Sequence, residues 1–112
     1  MQTLIISSKN FEKAVEEAHR INEANKINKF DTQLLEFEKA LGIEDVRNLQ
    51  KNIFLKPFKG EKKAILIIMQ QGATIEAQNS MLKLLEEPPA STLIFLITNS
   101  YRTLLSTILS RA

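Results

Sequence analysis

The sequence has no cysteine, no tryptophan and a single histidine, His19. Without thiols there is neither a disulfide nor a thiolate metal site, and one imidazole cannot build a histidine cluster or pair with a cysteine nucleophile. Glycine is also scarce: Gly42, Gly60 and Gly72 are the three, and none precedes Leu41. Long apolar runs are missing. The longest, Ala64–Met69, falls far short of the roughly 20 residues that span a bilayer. The N-terminus MQTLIISSKN has neither the basic start nor the apolar length of a signal peptide, so a reducing cytoplasm is the expected compartment. Neither charge sign dominates. Fifteen Lys and Arg against 13 Asp and Glu leave a net charge of +2, which implies nucleic-acid binding only where the charges cluster. Lys51, Lys56, Lys59, Lys62 and Lys63 form the one basic concentration. It is either a contact for a DNA backbone or, more simply, a solvated turn.

What is present is an ordinary globular composition: 112 residues, 44% hydrophobic and 25% charged, sufficient for one small domain over residues 1–112. TLIIS, Thr3–Ser7, is short and apolar throughout, as suits a strand covered on both faces. Asn10 is a helix cap, and Phe11, Val15, Ala18, Ile21 and Ala24 follow at helical spacing. NEANKINK, Asn22–Lys29, reads as a polar connector. Thr32–Phe37 reads as a strand despite its Leu, Glu and Gln. A helix is predicted over Ile43–Phe54, with Glu44 and Asp45 in its first turn and Val46, Leu49 and Ile53 inward; Pro57 prevents it from continuing. AILIIM, Ala64–Met69, is the clearest buried strand. Thr74 then caps a helix to Glu86 with Ile75, Gln78, Leu82 and Leu85 on one face, stopped by Pro88 and Pro89. STLIFLIT, Ser91–Thr98, is a second central strand, and a short helix over Thr103–Leu109 follows.

Strands alternating with helices, the strands apolar on both sides, imply a parallel sheet covered on both faces. Ligands of such sheets sit beyond the carboxyl ends of the strands. The residues to inspect are those after Ser7, Met69 and Thr98.

Asn79, Leu82–Lys83, Leu85 through Pro89, Thr98, Thr107–Ile108 and Ser110–Arg111 form a recognisable series. With them, NSMLKLLEEPPASTLIFLITNS and LLSTILSRA resemble the core of the bacterial DNA polymerase III clamp-loader subunits, in particular the delta-prime type. These belong to the AAA+ class of P-loop ATPases. GIEDVRNL and KPFKGEKKAILII resemble the family segment leading to the second nucleotide motif. The resemblance covers Leu41 to Arg111 and is mostly topological before that. It implies a three-layer α/β/α P-loop NTPase-like (AAA+) core with sheet order 5-1-4-3-2. This chain is expected to supply strands 1 to 4, in the order 1-4-3-2, without the fifth strand, lid and collar. TLIIS then becomes an apolar edge, and exposed edges invite pairing.

The resemblance also gives each motif position an expected role. A working phosphate loop reads G-x-x-x-x-G-K-[ST]: the glycines let amides turn to the phosphates, the lysine meets them, and the hydroxyl holds magnesium. Here the interval is SSKNFEKA, Ser7 to Ala14. Lys13 stands at the lysine position, Ser7 and Glu12 replace glycines, and Ala14 replaces the hydroxyl. Lys13 is either a residual nucleotide contact or a solvated helix residue, and the second is preferred. The family's second motif ends its strand with Asp, often then Glu, to order magnesium and polarise water. Met69 and Gln70 stand there, and a thioether is a poor magnesium ligand. Loss of this electrostatic apparatus implies no hydrolysis, no metal and at best weak ATP binding. Thr98 and Asn99 match the position that senses the γ-phosphate, or else they cap the strand end. The arginine of the terminal SRC, here Arg111 in Ser110-Arg111-Ala112, points in the family into a neighbour's ATP site. Arg111 is therefore a candidate arginine finger in trans, or a frayed terminal residue. The family's zinc-binding insertion is replaced by NEANKINK, so no zinc is expected.

The expected partners are other clamp-loader subunits, including an ATPase-competent neighbour. Two alternatives stand beside this scaffold reading: a free-standing domain that forms a homodimer through Thr3–Ser7, and a weak nucleotide-binding switch.

Overall fold

The computed structural model describes residues 3–52 and 62–111. Its elements follow the predicted alternation: β1 (Thr3–Ser7), α1 (Phe11–Ala24), β2 (Thr32–Phe37), α2 (Ile43–Asn52), β3 (Lys63–Met69), α3 (Ile75–Glu86), β4 (Thr92–Thr98) and α4 (Ser106–Arg111). Short 3-10 turns lie at Lys29–Asp31 and Tyr101–Thr103. All strand pairs are parallel and the sheet order is β1-β4-β3-β2, as expected. β3 and β4 occupy the centre, and apart from Lys63 every residue in them is buried. Both of their faces are covered, so alternation is absent and the runs are continuously apolar.

The two faces are covered unequally. On one, Ile65, Ile67 and Met69 of β3 and Ile94 and Leu96 of β4 meet α2 through Val46 and Leu49, α3 through Met81 and Leu85, and the α4 region through Leu104 and Ile108. On the other, among the described residues, Leu66, Ile68, Phe95 and Ile97 meet α1, chiefly through Ala14 and Ala18, and Ile27 just beyond it. The small alanines let that helix lie close to the sheet, but one helix cannot cover four strands. Leu34 of β2 is consequently 44% exposed.

Capping chemistry fixes the helix ends. Asn10 accepts from the Lys13 amide at 3.2 Å and Thr74 Oγ1 from the Ala77 amide at 3.0 Å. At α2, the Asp45 carboxylate accepts from the Gly42 amide at 2.9 Å, the reciprocal half of a capping box. α1 ends in a Schellman arrangement: the Lys26 amide donates to the Glu23 carbonyl and the Ile27 amide to the Asn22 carbonyl. Lys26 itself takes the left-handed conformation, with φ 60°.

Several expectations need correction. The connector Asn22–Lys29 is helical to Ala24, and the Schellman turn inserts Ile27 into the core. The fully buried stripe of α1 is Ala14, Ala18 and Asn22, with Phe11, Val15 and Ile21 as half-buried flanks and Ala24 exposed. On α3 the buried residues are Ala77, Gln78, Met81, Leu84 and Leu85. Ile75 is 63% exposed and Leu82 is only half-buried, so the predicted face was rotated. Ser91 has φ 64° and forms a turn, which delays β4 to Thr92. The predicted helix Thr103–Leu109 is broken at Leu104, which is extended with φ −90° and ψ 147°; α4 starts only at Ser106. Ile53, Phe54 and Pro57 lie outside the described residues.

Candidate functional site

The register of β1, β4 and β3 brings three motif positions together at the carboxyl edge of the sheet: Ser7 pairs with Thr98, and Thr98 with Met69. This is the edge where a parallel sheet binds its ligands.

The connection after β1 is short and stitched shut. The Ser8 amide donates to the Thr98 carbonyl at 2.9 Å. The Asn10 amide donates to Ser8 Oγ at 3.1 Å, and that hydroxyl donates back to the Asn10 carbonyl at 3.0 Å. The Asn10 carboxamide takes the Lys13 amide. The Ser8, Asn10 and Lys13 amides, which a phosphate cradle would turn outward, are thus engaged within the chain. Lys13 is exposed on the first turn of α1, beside exposed Glu12. A concavity of about 480 Å³ runs between α1 and β2 and is edged by Glu12, Glu16 and Glu36 over Phe11, Val15 and Leu34. Its rim charge opposes a polyphosphate.

The second motif position is likewise built into the fold. Met69 is fully buried in the core. Gln70 donates from its side chain to the Glu36 carboxylate and from its amide to the Phe37 carbonyl, joining β3 to β2. Thr98 is fully buried, and its hydroxyl both accepts from the Ser100 amide and faces the Ser100 carbonyl at 3.3 Å. Asn99 is exposed beside it. Among the described residues, no group of three or more His, Cys, Asp or Glu could hold a metal ion. No helix of the described residues is long and apolar enough to cross a membrane.

The fourth position, Arg111, is the last residue of α4. α4 is held to the body by Leu104 and Ile108, both in the core beside α3. Residue-type reasoning missed one further participant. Gln78 is 2% exposed and bonds three backbone groups: the Ala73 carbonyl in the turn before α3, and the Thr103 carbonyl and Leu105 amide just before α4, 25 and 27 residues away. Its polarity on an otherwise apolar stripe is the one sign of this that the sequence carries.

The basic concentration lies elsewhere. Lys62 and Lys63 stand at the amino end of β3, opposite the candidate site. The Lys62 ammonium reaches the Asn25 carbonyl at 3.3 Å, at the end of α1. Lys63 is half-buried, and desolvation lowers its pKa below the usual lysine value. Lys51 is exposed in the last turn of α2. Lys56 and Lys59 lie outside the described residues.

The family model described as "DNA polymerase III, delta subunit" matches residues 1–112. The chain is 36% identical over 73 residues to the DNA polymerase III subunit delta' of Buchnera aphidicola (subsp. Baizongia pistaciae), covering 65% of this chain and 22% of that protein. It is 34% identical over 76 residues to the delta' subunit of Pseudomonas aeruginosa, covering 68% of this chain and 23% of that one. A gamma/tau subunit of Mycoplasma pneumoniae is 37% identical over 70 residues, covering 62% of this chain and 10% of that protein. Among solved structures, a DNA polymerase III gamma subunit-related protein of Thermotoga maritima superposes with a TM-score of 0.81 at 26% identity, over 99% of this chain and 39% of that one. The matches thus span only a minor part of these relatives' length.

Proposed function

Because the chain belongs to the DNA polymerase III delta-subunit family, we propose that it acts in DNA replication as a non-catalytic, delta-prime-like clamp-loader subunit or part-subunit. In this reading it is a scaffold that presents Arg111 to the ATP site of a neighbouring subunit. It binds nucleotide at best weakly and does not hydrolyse it.

The observation that carries the reading is the closed β1–α1 connection. Ser8, Asn10 and Lys13 all have their amides engaged inside the chain, and Met69, at the metal-handling position, is core. Phosphoryl transfer is almost entirely positioning and electrostatic stabilisation, so a site without these groups has little left to act with. An arginine acting in trans needs neither. It requires a rigid support, which Leu104 and Ile108 give to α4. Such a finger contributes a factor of about 10³–10⁵ in other nucleotide hydrolases. DNA contact through the lysines has weaker support, since Lys62 is turned to Asn25 and Lys63 is half-buried.

The test mixes this chain with an ATPase-competent clamp-loader subunit of the same organism and compares Arg111→Ala. Association together with a loss of hydrolysis of at least about tenfold supports the finger. Association with unchanged hydrolysis leaves a structural spacer. Absence of association defeats the clamp-loader role for this chain. Pairing through β1, an edge strand of the described sheet, then becomes the better reading.

A further inference from the structure

We propose that the groove between α1 and β2 is a docking site for an amphipathic helix of a partner protein, one with apolar residues on its inner face and lysine or arginine along its margins. The proposal does not depend on the trans-arginine reading above.

α1 packs on β3 and β4, and β2 is the outer strand of the described sheet on that side. Two hollows lie where the helix leaves β2 uncovered. Toward the carboxyl end is the concavity of about 480 Å³, with Val15, Leu34 and Ile68 among its lining and Glu12, Glu16 and Glu36 along its edge. Toward the amino end is a second, of about 380 Å³, lined in part by His19, Asn22, Ile27 and Thr32. Residues 12, 15, 16, 19 and 22 recur at three- and four-residue spacing down one flank of α1. Residues 32, 34 and 36 share one face of β2. The hollows are therefore successive lengths of a single trough. Counted along α1 from Glu12 to Glu23 it is about 16 Å long, which is three turns of a helix.

Charge selects the occupant. Glu12, Glu16 and Glu36 are exposed, and they are the charged groups that line the carboxyl hollow. Neither Glu12 nor Glu16 is in an ion pair among the described residues, where Arg20 pairs with Glu17 and Arg47 with Glu44. Glu36 accepts from the neutral Gln70 carboxamide, which leaves its charge uncompensated. The cations of this side gather at the amino end, Lys29 at the rim beside Glu23 and Lys62 at the end of α1. The carboxylates repel a nucleic-acid backbone and an anionic lipid surface, and two copies of the trough repel each other. An apolar floor between carboxylates is matched by an apolar stripe between ammonium or guanidinium groups, which is the surface of a basic amphipathic helix. Such a helix beside α1 also completes the layer over β2 and covers Leu34, which is 44% exposed. Charge on an edge strand can serve to deter strand pairing, but Glu12 and Glu16 stand on the helix across from the strand.

A second observation marks the amino end. Asn22 is buried, and neither Nδ2 nor Oδ1 of its carboxamide has a hydrogen-bond partner among the described residues. Burying a carboxamide is unfavourable unless it is hydrogen-bonded. A polar side chain on the incoming helix supplies that partner and sets which end of the helix lies there.

The experiment titrates the full chain with a synthetic peptide of about 14 residues, with leucines at i, i+3, i+4 and i+7, lysines on both margins of that stripe and a glutamine in its last turn. A second peptide carries glutamate in place of every lysine. Backbone amide shifts locate binding and calorimetry measures it. The lysine peptide is expected to shift the amides of Val15, Glu16, His19, Leu34 and Glu36, and to bind at least about tenfold tighter than the glutamate peptide. Leu34→Ser is expected to weaken it by about tenfold. Glu12→Gln combined with Glu16→Gln is expected to weaken it by about fivefold and to flatten its salt dependence. Asn22→Leu, close in volume, is expected to weaken it by about threefold. Leu34, Glu12 and Glu16 lie outside the buried core, so those variants keep the test open should Asn22→Leu not fold. Equal affinity for the two peptides, shifts confined to other residues, or binding that Leu34→Ser leaves unchanged would overturn the proposal. So would a concentration-dependent dimer abolished by Leu34→Ser, which would give the trough to a second copy, or a DNA oligonucleotide that shifts the same amides.

Discussion

The connections that leave β1 and β4 start side by side, since Ser7 and Thr98 are paired, yet they differ in how much of their support comes from side chains elsewhere in the fold. Residues 8–10 are bonded to themselves, to the β4 end and to the first turn of α1, so the segment closes on its own amides. Residues 99–105 carry turn bonds of their own, the Thr103 amide to the Ser100 carbonyl and the Leu104 amide to the Tyr101 carbonyl, and are held from outside as well: the Tyr101 amide by Ser7 Oγ at 3.2 Å, and Thr103 and Leu105 by Gln78. The first arrangement removes donors from a ligand. The second stabilises a short helix that cannot stabilise itself. In the proposed function, the first arrangement closes the edge to a nucleotide and the second is the platform that would face a neighbouring subunit.

The comparison can be broken most forcefully at the support beneath the platform. Met81 is fully buried in the core that carries Leu104 and Ile108, so Met81→Ala is expected to cost about 2–5 kcal/mol in chemical denaturation. Leu82→Ala, at a half-buried site, should fall below that; equal losses would mean that the face of α3 is misassigned. Next in size is the closed connection. Asn10→Ala removes the cap of α1 and should cost about 1 kcal/mol, without creating nucleotide affinity. A gain in magnesium-ATP binding in that variant would show that the cap alone had blocked a competent cradle. Smaller still, Ile75→Ala and Lys83→Ala alter exposed positions and should each stay within about 0.5 kcal/mol. The nucleotide should leave the faintest signal. Calorimetry with magnesium-ATP should detect nothing tighter than roughly millimolar, an interaction of about 4 kcal/mol, and micromolar binding or steady phosphate release would contradict the account.

The layout of the fold was legible because β3 and β4 are covered on both faces, leaving unbroken runs such as AILIIM that admit few readings. The edges of the pattern were less so. The contact stripe of α1 rests on Ala14 and Ala18, whose hydrophobic signal is slight but whose small size permits close approach. The polar look of NEANKINK concealed a helix end, because the Schellman turn is specified by Lys26 in a left-handed conformation that residue type does not announce. On α3, the apolar Ile75 pulled the predicted face toward solvent. At the site, Ser7, Met69 and Thr98 were placed together by topology alone, as the register bears out. The role of Gln78 was not legible: its partners Thr103 and Leu105 are far along the chain, and only folding brings them near. Ser91, which delays β4 with φ 64°, is a similar case, a backbone state that a serine side chain does not reveal.

The most direct measurement compares Lys13→Ala with Arg111→Ala in one assembly with an ATPase-competent clamp-loader subunit, reading phosphate release at saturating ATP. The closed connection and the held platform then stand against each other in the same chain. The account predicts that Lys13→Ala leaves the rate within about twofold while Arg111→Ala lowers it by at least about tenfold, as loss of a trans-acting arginine should. A tenfold loss from Lys13→Ala, or an unchanged rate with Arg111→Ala, would contradict it.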